Sequence, residues 1–156
     1  MIREKRVKIS DKTKLTWSWR ANALIQNRGN AKEKSEDGDD FVARVFVIKE
    51  GKLPWQTKAL NYVWSRENKV GDSWINPIVK NARMVVVQSG EAELGQWHSF
   101  ERNIKEDFKK YFDIDIDSVD GVALMTDTDN TGGMAEACYV LPEIIEPENL
   151  TEIDQL

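Results

Sequence analysis

Two aspartates follow an apolar stretch late in the chain, and their spacing suits chemistry. The segment GVALMTDTDNTGG, residues 121–133, predicts a strand that runs into a turn. In an extended segment the carboxylates of Asp127 and Asp129 lie on one face, roughly 7 Å apart. Because two like charges on one strand face repel, a positive or hydroxyl-bearing companion is expected between them. An arginine of the chain, a bound cation or a sugar would each serve.

A calcium site is one interpretation of this acidic segment. An EF-hand loop needs a bidentate glutamate at its twelfth position, where this sequence has Cys138, so an EF-hand is rejected. A looser cage stays open, since calcium accepts about six to eight oxygens in flexible geometry. Its ligands would be Asp127, Asp129, the Asn130 carbonyl and Glu136. The alternative is a structural turn, because aspartate and asparagine bond their own backbone and glycine supplies positive φ. No other cofactor is predicted.

Six tryptophans exceed what the core of a small domain needs. Those predicted to lie in the core are Trp17, Trp19 and Trp64. Those in or beside predicted loops are Trp55, Trp74 and Trp97. An exposed indole presents a flat apolar face and an N–H donor, which suits stacking on sugar rings. Packing beneath a long loop is the alternative for each of the second three.

Polar residues within predicted strands complete the candidate ligand set. They are Arg44, Asn61, Arg83 and Arg102, of which Arg44 and Arg83 alternate with apolar residues. An arginine there lies either on a wet face or in a groove, where its fork suits carboxylates, including those of acidic sugars. An internal ion pair is the alternative, and the candidate acids for it are Asp40, Asp127 and Asp129.

Catalysis has weaker support. His98 is the only histidine, and no serine or cysteine motif accompanies it. Cys138 lies between Ala137 and Tyr139, which favours an inert thiol. Two carboxylates can hydrolyse a glycosidic bond, so a glycan hydrolase or lyase that uses Asp127 or Asp129 is the alternative function.

Length and composition predict one globular domain at residues 1–145, followed by an acidic tail at 146–156. The net charge of -5 argues against broad nucleic-acid binding, which needs a basic surface. No run approaches the roughly 18 apolar residues of a membrane span, so the chain is not expected to be integral to a membrane. The charged N-terminus lacks the apolar centre of a secretory signal, which indicates a cytoplasmic protein or a mature or shortened form.

The hydrophobic periods predict a mainly β fold. LTWSWRANAL alternates, and the residues predicted to face the core are Leu15, Trp17, Trp19, Ala21 and Ala23. FVARVFVIKE and ARMVVVQ are β-branched on both faces, as in central strands. From Glu101 the apolar spacing changes to that of a short amphipathic helix. Pro142 limits the last strand to an edge or end. Together these predict an antiparallel β-sandwich of jelly-roll type with one short helix.

Several segments in order resemble the bacterial domain-of-unknown-function family 3047. They are DDFVARVFV, ALNYVWS, NP, ARMVVVQSG, GQWHSFERNIKEDFKKYF and GVALMTDTDNTG, within residues 15–139. The resemblance implies a β-sandwich, an exported or periplasmic cell-envelope setting and no established activity. The order of elements also looks like the C-terminal half of galactose-binding-like carbohydrate modules. Family members carry additional leading strands, so a partial sandwich is expected here, completed by a partner strand or by oligomer formation.

These observations favour a non-catalytic carbohydrate-binding-like module of the cell envelope. Its expected partner is a glycan or another small ligand. The predicted ligand residues are Asp127, Asp129, Asn130, Trp74, Trp55, Arg44, Arg83 and Asn61. A hydrolase or lyase and a purely structural or assembly domain are the alternatives.

Overall fold

The computed structural model describes residues 2–25, 30–126 and 136–147. These residues form nine β-strands, one α-helix and single turns of 3₁₀ helix at Glu36–Gly38 and Pro54–Gln56. The strands are β1 (Ile2–Lys8), β2 (Lys14–Ala21), β3 (Arg44–Lys49), β4 (Lys58–Ser65), β5 (Ser73–Ile75), β6 (Ala82–Ser89), β7 (His98–Asn103), β8 (Ser118–Met125) and β9 (Ala137–Ile145). The helix, α1, is Ile104–Phe112.

The strands pair into two sheets. The large sheet has the order β1-β8-β3-β4-β6-β5, and the small sheet has the order β7-β2-β9. Apolar side chains of β2 pack with those of β3 and β4 in one core between the sheets. This part of the chain is therefore a β-sandwich with one short helix, as predicted. The strand order is compatible with a jelly roll, which remains a prediction.

One strand pair departs from the predicted antiparallel arrangement. β4 and β6 run parallel, with Tyr62 in register with Val85, while the other pairs among the described strands are antiparallel. The chain passes from β4 to β5 at the sheet edge and returns in β6, which lies between them. Because β5 and β6 are antiparallel, β6 takes the direction of β4.

The alternation of β2 divides its side chains between core and surface. Leu15, Trp17, Trp19 and Ala21 are buried, as predicted. Ala23 was predicted to continue this face, but the strand ends at Ala21, and Ala23 is exposed. The period of two thus places the apolar half of the strand against the large sheet.

Aromatic rings fill the centre of the core. The Trp17 ring stacks on Tyr62 and on Phe100, each at a centroid distance of 5.1 Å. Trp19 and Trp64 stack at 6.4 Å, and both are buried, so the three tryptophans predicted for the core lie there. The Trp19 Nε1–H donates to Gln88 Oε1 at 2.7 Å, which satisfies a polar group that burial would otherwise leave unpaired.

Helix α1 begins three residues later than the predicted start at Glu101. Glu101 belongs to β7, and the helix begins after Asn103, whose side-chain oxygen accepts the Glu106 N–H at 3.1 Å. This is an N-cap, which ends the strand and supplies a partner for a free helical amide. Ile104 and Phe108 of the helix are buried in the core.

A buried polar network ties α1 and β7 to the large sheet. Asp107 of the helix accepts the Tyr62 hydroxyl at 2.6 Å and two Arg102 N–H groups at 2.8 Å each. Burial, then the charge and hydrogen bond of Asp107, raise the pKa of Tyr62 well above its usual value. Burial alone would lower the pKa of Arg102, but the hydrogen bonds and charge of Asp107 outweigh it and raise that pKa. Tyr62 therefore stays protonated and Arg102 stays charged.

The segment 30–43 covers the other face of the large sheet. The Glu33 side chain is 1% exposed, and its oxygens accept the Ser65 hydroxyl, the Arg66 N–H at 2.6 Å and the Asn68 amide at 2.8 Å. Further along the segment, Phe41 packs in a second apolar cluster with residues of β4 and β6. Glu33 thus anchors this segment by hydrogen bonds, and Phe41 anchors it by apolar packing.

Strand β1 was not among the predicted strands. It pairs antiparallel with β8 at the edge of the large sheet. Arg6 Nε donates to Asp120 Oδ1 at 2.6 Å, and Lys49 lies 3.7 Å from Asp120 Oδ2. Burial acts to raise the pKa of Asp120, but the hydrogen bonds from Arg6 and the Glu50 N–H, with the charge of Lys49, lower it below its usual value. Among the described residues, no helix has the length and apolarity to cross a membrane.

Candidate ligand-binding face

The acidic segment that dominated the sequence analysis lies mostly outside the described residues. Asp127, Asp129 and Asn130 fall in the gap at 127–135, so their predicted roles stay predictions. Glu136, the fourth predicted calcium ligand, is exposed at the start of the next described segment. Within residues 2–25, 30–126 and 136–147, no group of three or more potential metal ligands is present.

Arg44 has a charge partner inside the fold. Its side chain is 9% exposed and lies 3.6 Å from Asp39 Oδ2. It also donates to the Asp39 carbonyl at 3.1 Å, and its guanidinium lies over the Phe41 ring at 5.1 Å. Arg44 thus takes part in an internal ion pair with Asp39, while Asp127 and Asp129, two of its predicted partners, lie outside the described residues. Trp74 lies in β5 instead of a loop and packs on Phe41 at 6.3 Å.

The other predicted ligand residues do not share one exposed surface, although Asn61 lies in one row with Trp74 through Met84. Asn61 is 4% exposed and donates to the Ala59 carbonyl, and Arg83 is half-buried, in register with Ile75. Trp55 is 66% exposed and precedes the start of β4. The start of β4 and the Arg44–Val63 row are five residues apart, or about 17 Å along a strand. The described members of the predicted set therefore do not converge on one pocket.

A different polar surface converges on the small sheet. β2 is its central strand, and the alternation that buries the tryptophans turns Thr16, Ser18 and Arg20 to the opposite face. β7 and β9 flank β2 and add their own outward residues. We call this outer side of the small sheet the polar face.

Register arranges the polar face in rows across the three strands. In the first row Thr16 lies between Glu101 of β7 and Glu143 of β9. In the second row Ser18 lies between Ser99 and Val140. In the third, Arg20 pairs with Cys138, and Trp97 immediately precedes β7 on the other side.

Short contacts hold the centre and one end of the polar face. The hydroxyl oxygens of Ser18 and Ser99 are 2.7 Å apart. The Arg20 guanidinium lies over the Trp97 ring at 5.4 Å, and its Nη2 is 3.9 Å from the Cys138 sulfur. Trp97 is 49% exposed, so one ring face is held by the arginine while the indole remains open to water. A cation above an indole is attracted to its π electrons, which restrains the ring.

The other end of the polar face carries two glutamates that are not in ion pairs within the described residues. Glu101 and Glu143 are exposed, and within the described residues neither carboxylate forms an ion pair. At the Trp97 end, the Nε of Arg20 is buried and has no hydrogen-bond acceptor among the described residues. A shallow cavity of about 420 Å³ lies over the face, and its polar lining is Thr16, Ser18, Ser99, Glu101 and Glu143. The face can therefore accept hydrogen bonds from hydroxyl groups and stack one flat ring.

A larger concavity differs in chemistry. It occupies about 720 Å³ between the β1–β8 edge of the large sheet and β9 of the small sheet. Most of its lining is aliphatic or glycine, as in Val122, Leu124, Leu141 and Ile144. Hydroxyl-rich ligands would lose hydrogen bonds with water there without replacing them.

Of the polar face, sequence reasoning singled out Trp97 as a stacking candidate but did not place it beside β2. The outward half of β2 was visible in LTWSWRANAL, but the pairing of β2 with β7 and β9 is a long-range event. Glu101 was assigned to the helix, which hid its place in β7. The signal that was available is the run of hydroxyl and cationic residues opposite the tryptophans.

Comparison with known proteins identifies a family without a described activity. A family model with the description "Protein of unknown function (DUF3047)" matches residues 1–141 of the 156. The match extends beyond residues 15–139, which carried the resemblance in the sequence, and it includes β1. No curated protein and no solved structure matches the chain.

Proposed function

Since the chain belongs to the DUF3047 family, which brings no activity with it, we propose that it is a non-catalytic carbohydrate-binding module. The polar face of the small sheet is its binding surface. The observation that carries the proposal is the alignment of an exposed indole, a serine pair and two free carboxylates on one sheet face. Such a module would fit the cell-envelope setting that the family resemblance implies.

Each group on the polar face has a counterpart on a sugar. The C–H face of a pyranose ring packs against an indole, and Trp97 presents one that Arg20 keeps in place. Sugar hydroxyls donate to carboxylates and exchange hydrogen bonds with serine hydroxyls. From Trp97 to Glu101 the polar face extends over about 13 Å, which is long enough for more than one ring.

The charge of the polar face indicates which class of glycan it can bind. The two free glutamates would repel uronic acids or sulfated sugars close to the first row. Neutral sugars meet no such repulsion, and an amino sugar would gain an attraction. We therefore infer a neutral or amino-bearing glycan rather than an acidic one.

The enzyme alternative has one supporting observation on the polar face. Glu101 and Glu143 flank Thr16 in one row, so their backbones are two strand spacings apart, about 9.5 Å. Inverting glycosidases hold their two carboxyl groups about 6.5–9.5 Å apart. Both glutamates are exposed on an open face, however, and a general acid needs apolar surroundings that keep its proton on. Binding is thus better supported than hydrolysis.

The test compares two exposed tryptophans that lie on different surfaces. The wild-type chain, Trp97→Ala and the matched control Trp55→Ala are applied to an array of neutral, amino and acidic glycans, and hits are measured by calorimetry. Loss of the stacked indole should weaken binding about tenfold or more in Trp97→Ala. Trp55→Ala should bind like the wild type, and both variants should melt within a few degrees of it.

Three results would overturn the proposal. One is equal glycan affinity of Trp97→Ala and the wild type. Another is release of reducing ends from a polysaccharide panel that Glu101→Gln or Glu143→Gln abolishes, which would establish the hydrolase instead. The third is the absence of any captured glycan at millimolar protein and ligand.

A further inference from the structure

Two adjoining turns on the large sheet expose a group of large apolar side chains. The exposed fractions are 43% for Leu53, 66% for Trp55, 54% for Ile75, 53% for Ile78 and 54% for Val79. We call these five residues the apolar patch. Single exposed apolar residues are ordinary, but five of them on two turns joined by hydrogen bonds indicate an interaction surface.

Hydrogen bonds to backbone carbonyls join the two turns. The Asn81 side-chain amide donates to the Trp55 carbonyl at 2.9 Å, and the Ala59 N–H donates to the Asn81 carbonyl at 3.1 Å. Asn76 is 3% exposed, and its Oδ1 accepts the N–H groups of Ile78 and Val79 at 2.9 and 2.8 Å. The apolar patch is therefore presented by ordered turns, and its exposure does not come from a loose loop.

The two stretches that carry the apolar patch are basic. Residues 51–65 and 73–90 include no aspartate or glutamate, although the chain as a whole carries a net charge of -5. Lys52 and Lys80 lie within the two turns and are exposed. Lys58 and Arg83 follow at the starts of β4 and β6. The turns that present the apolar patch thus carry basic side chains, and the nearest acids in sequence, Glu50 and Asp72, lie just outside the two stretches.

We propose that the apolar patch docks the domain on the surface of an anionic lipid bilayer. Tryptophan is favoured at the membrane interface, where the ring is apolar and the N–H is wet. Leucine, isoleucine and valine beside it would enter the acyl boundary, and lysines near the surface are attracted to anionic head groups. This is peripheral attachment by two turns, and it is separate from glycan binding by the polar face.

The charges favour a bilayer over a second copy of the chain. A two-fold dimer through the apolar patch would bring each lysine-flanked turn against its own symmetry mate, where like charges repel. An anionic membrane places negatively charged head groups directly beside the apolar acyl region, so it can contact the lysines and the apolar side chains together. The apolar side chains beside these lysines then favour one orientation of the domain on the bilayer.

The experiment measures co-sedimentation of the full chain with vesicles. One set contains phosphatidylcholine alone, and a second contains phosphatidylcholine mixed with phosphatidylglycerol. We expect binding to the anionic set, reduced by added salt. Trp55→Ala should lower partitioning at least about tenfold. Lys52→Gln and Lys80→Gln should each lower it about fivefold. Trp97→Ala, the matched control, should partition like the wild type.

Other outcomes overturn the inference. Equal binding to both vesicle sets would show that anionic head groups are not recognised. An equal loss of binding in Trp55→Ala and Trp97→Ala would show that the apolar patch is not the contact. If the wild type does not sediment with vesicles but forms dimers that Trp55→Ala dissociates in analytical ultracentrifugation, the surface belongs to a second copy of the chain. Circular dichroism of each variant verifies that a lost interaction is not lost folding.

Discussion

Asp107→Ala should break the contact that holds α1 and β7 against β4. In the wild type the Asp107 carboxylate accepts one hydroxyl and two guanidinium hydrogen bonds, all within 2.8 Å. The variant removes the acceptor and leaves two donors behind. One is the hydroxyl of Tyr62, which is fully buried, and the other is the charged Arg102.

The magnitude follows from what is left unpaired. Removing one partner of a buried charge pair costs about 3–5 kcal/mol of unfolding free energy. The Arg102 side chain is 31% exposed, so solvent screens the remaining charge, and we expect the lower end, about 3 kcal/mol. Tyr62→Phe removes one neutral donor and keeps the ion pair, so about 1 kcal/mol is expected. For a chain of this length the melting temperature should fall by about 6–12 °C and 2–4 °C respectively.

Urea unfolding followed by tryptophan fluorescence measures both losses. In the double variant the total should be smaller than the sum, because the tyrosine hydroxyl has already lost its acceptor. If Asp107→Ala loses no more than Tyr62→Phe, the ion pair contributes nothing net, and the network is not what holds the helix. Asp107→Asn keeps the shape of the side chain and separates charge from packing.

Two further predictions concern single carboxylates. Glu33→Gln places an amide N–H against groups that donate hydrogen bonds to the carboxylate, including the Asn68 amide, and should lower the free energy of unfolding by about 2–3 kcal/mol. Chemical denaturation of this variant and of Glu36→Gln, an exposed control, measures the loss. Equal stability of the two variants would contradict the anchoring role of Glu33. The lowered pKa of Asp120 means that its contribution to stability is present above the unfolded-state value near 4 and is lost as pH falls through the folded-state pKa. Asp120→Asn should therefore lose less stability than the wild type between about pH 5 and pH 2, and parallel curves would refute the assignment.

The sequence predicted the fold where one strand carries its own pattern. β2 alternates so strongly that its buried face follows from residue type alone, and the three core tryptophans were recognised. β1 was missed because an edge strand with one neighbour needs few apolar residues, and its sequence IREKRVK is mostly charged. The parallel β4–β6 pair was missed because strand direction depends on where β5 lies, which no local pattern records.

The candidate site was harder to predict for the same reason. The polar face assembles Thr16, Glu101 and Glu143 from strands far apart in sequence, and only register brings them into one row. The start of α1 decides whether Glu101 belongs to a strand or a helix, and an N-cap one residue before the helix settles it. Arg44 shows the converse case. Its internal pairing was foreseen as an alternative, and the structure shows Asp39, five residues away in the chain, as an acid with which it pairs.

The pairing of β2 with β9 has a consequence for synthesis of the chain. Lys14 is in register with Ile145, a residue translated about 130 positions later. At roughly 5–20 residues per second, the ribosome needs on the order of ten seconds to deliver that strand. Throughout this interval β2 lacks one of its two neighbouring strands, so the backbone N–H and C=O groups on that edge have no strand partner. Refolding from denaturant should be correspondingly slow, because distant segments must meet before either layer closes.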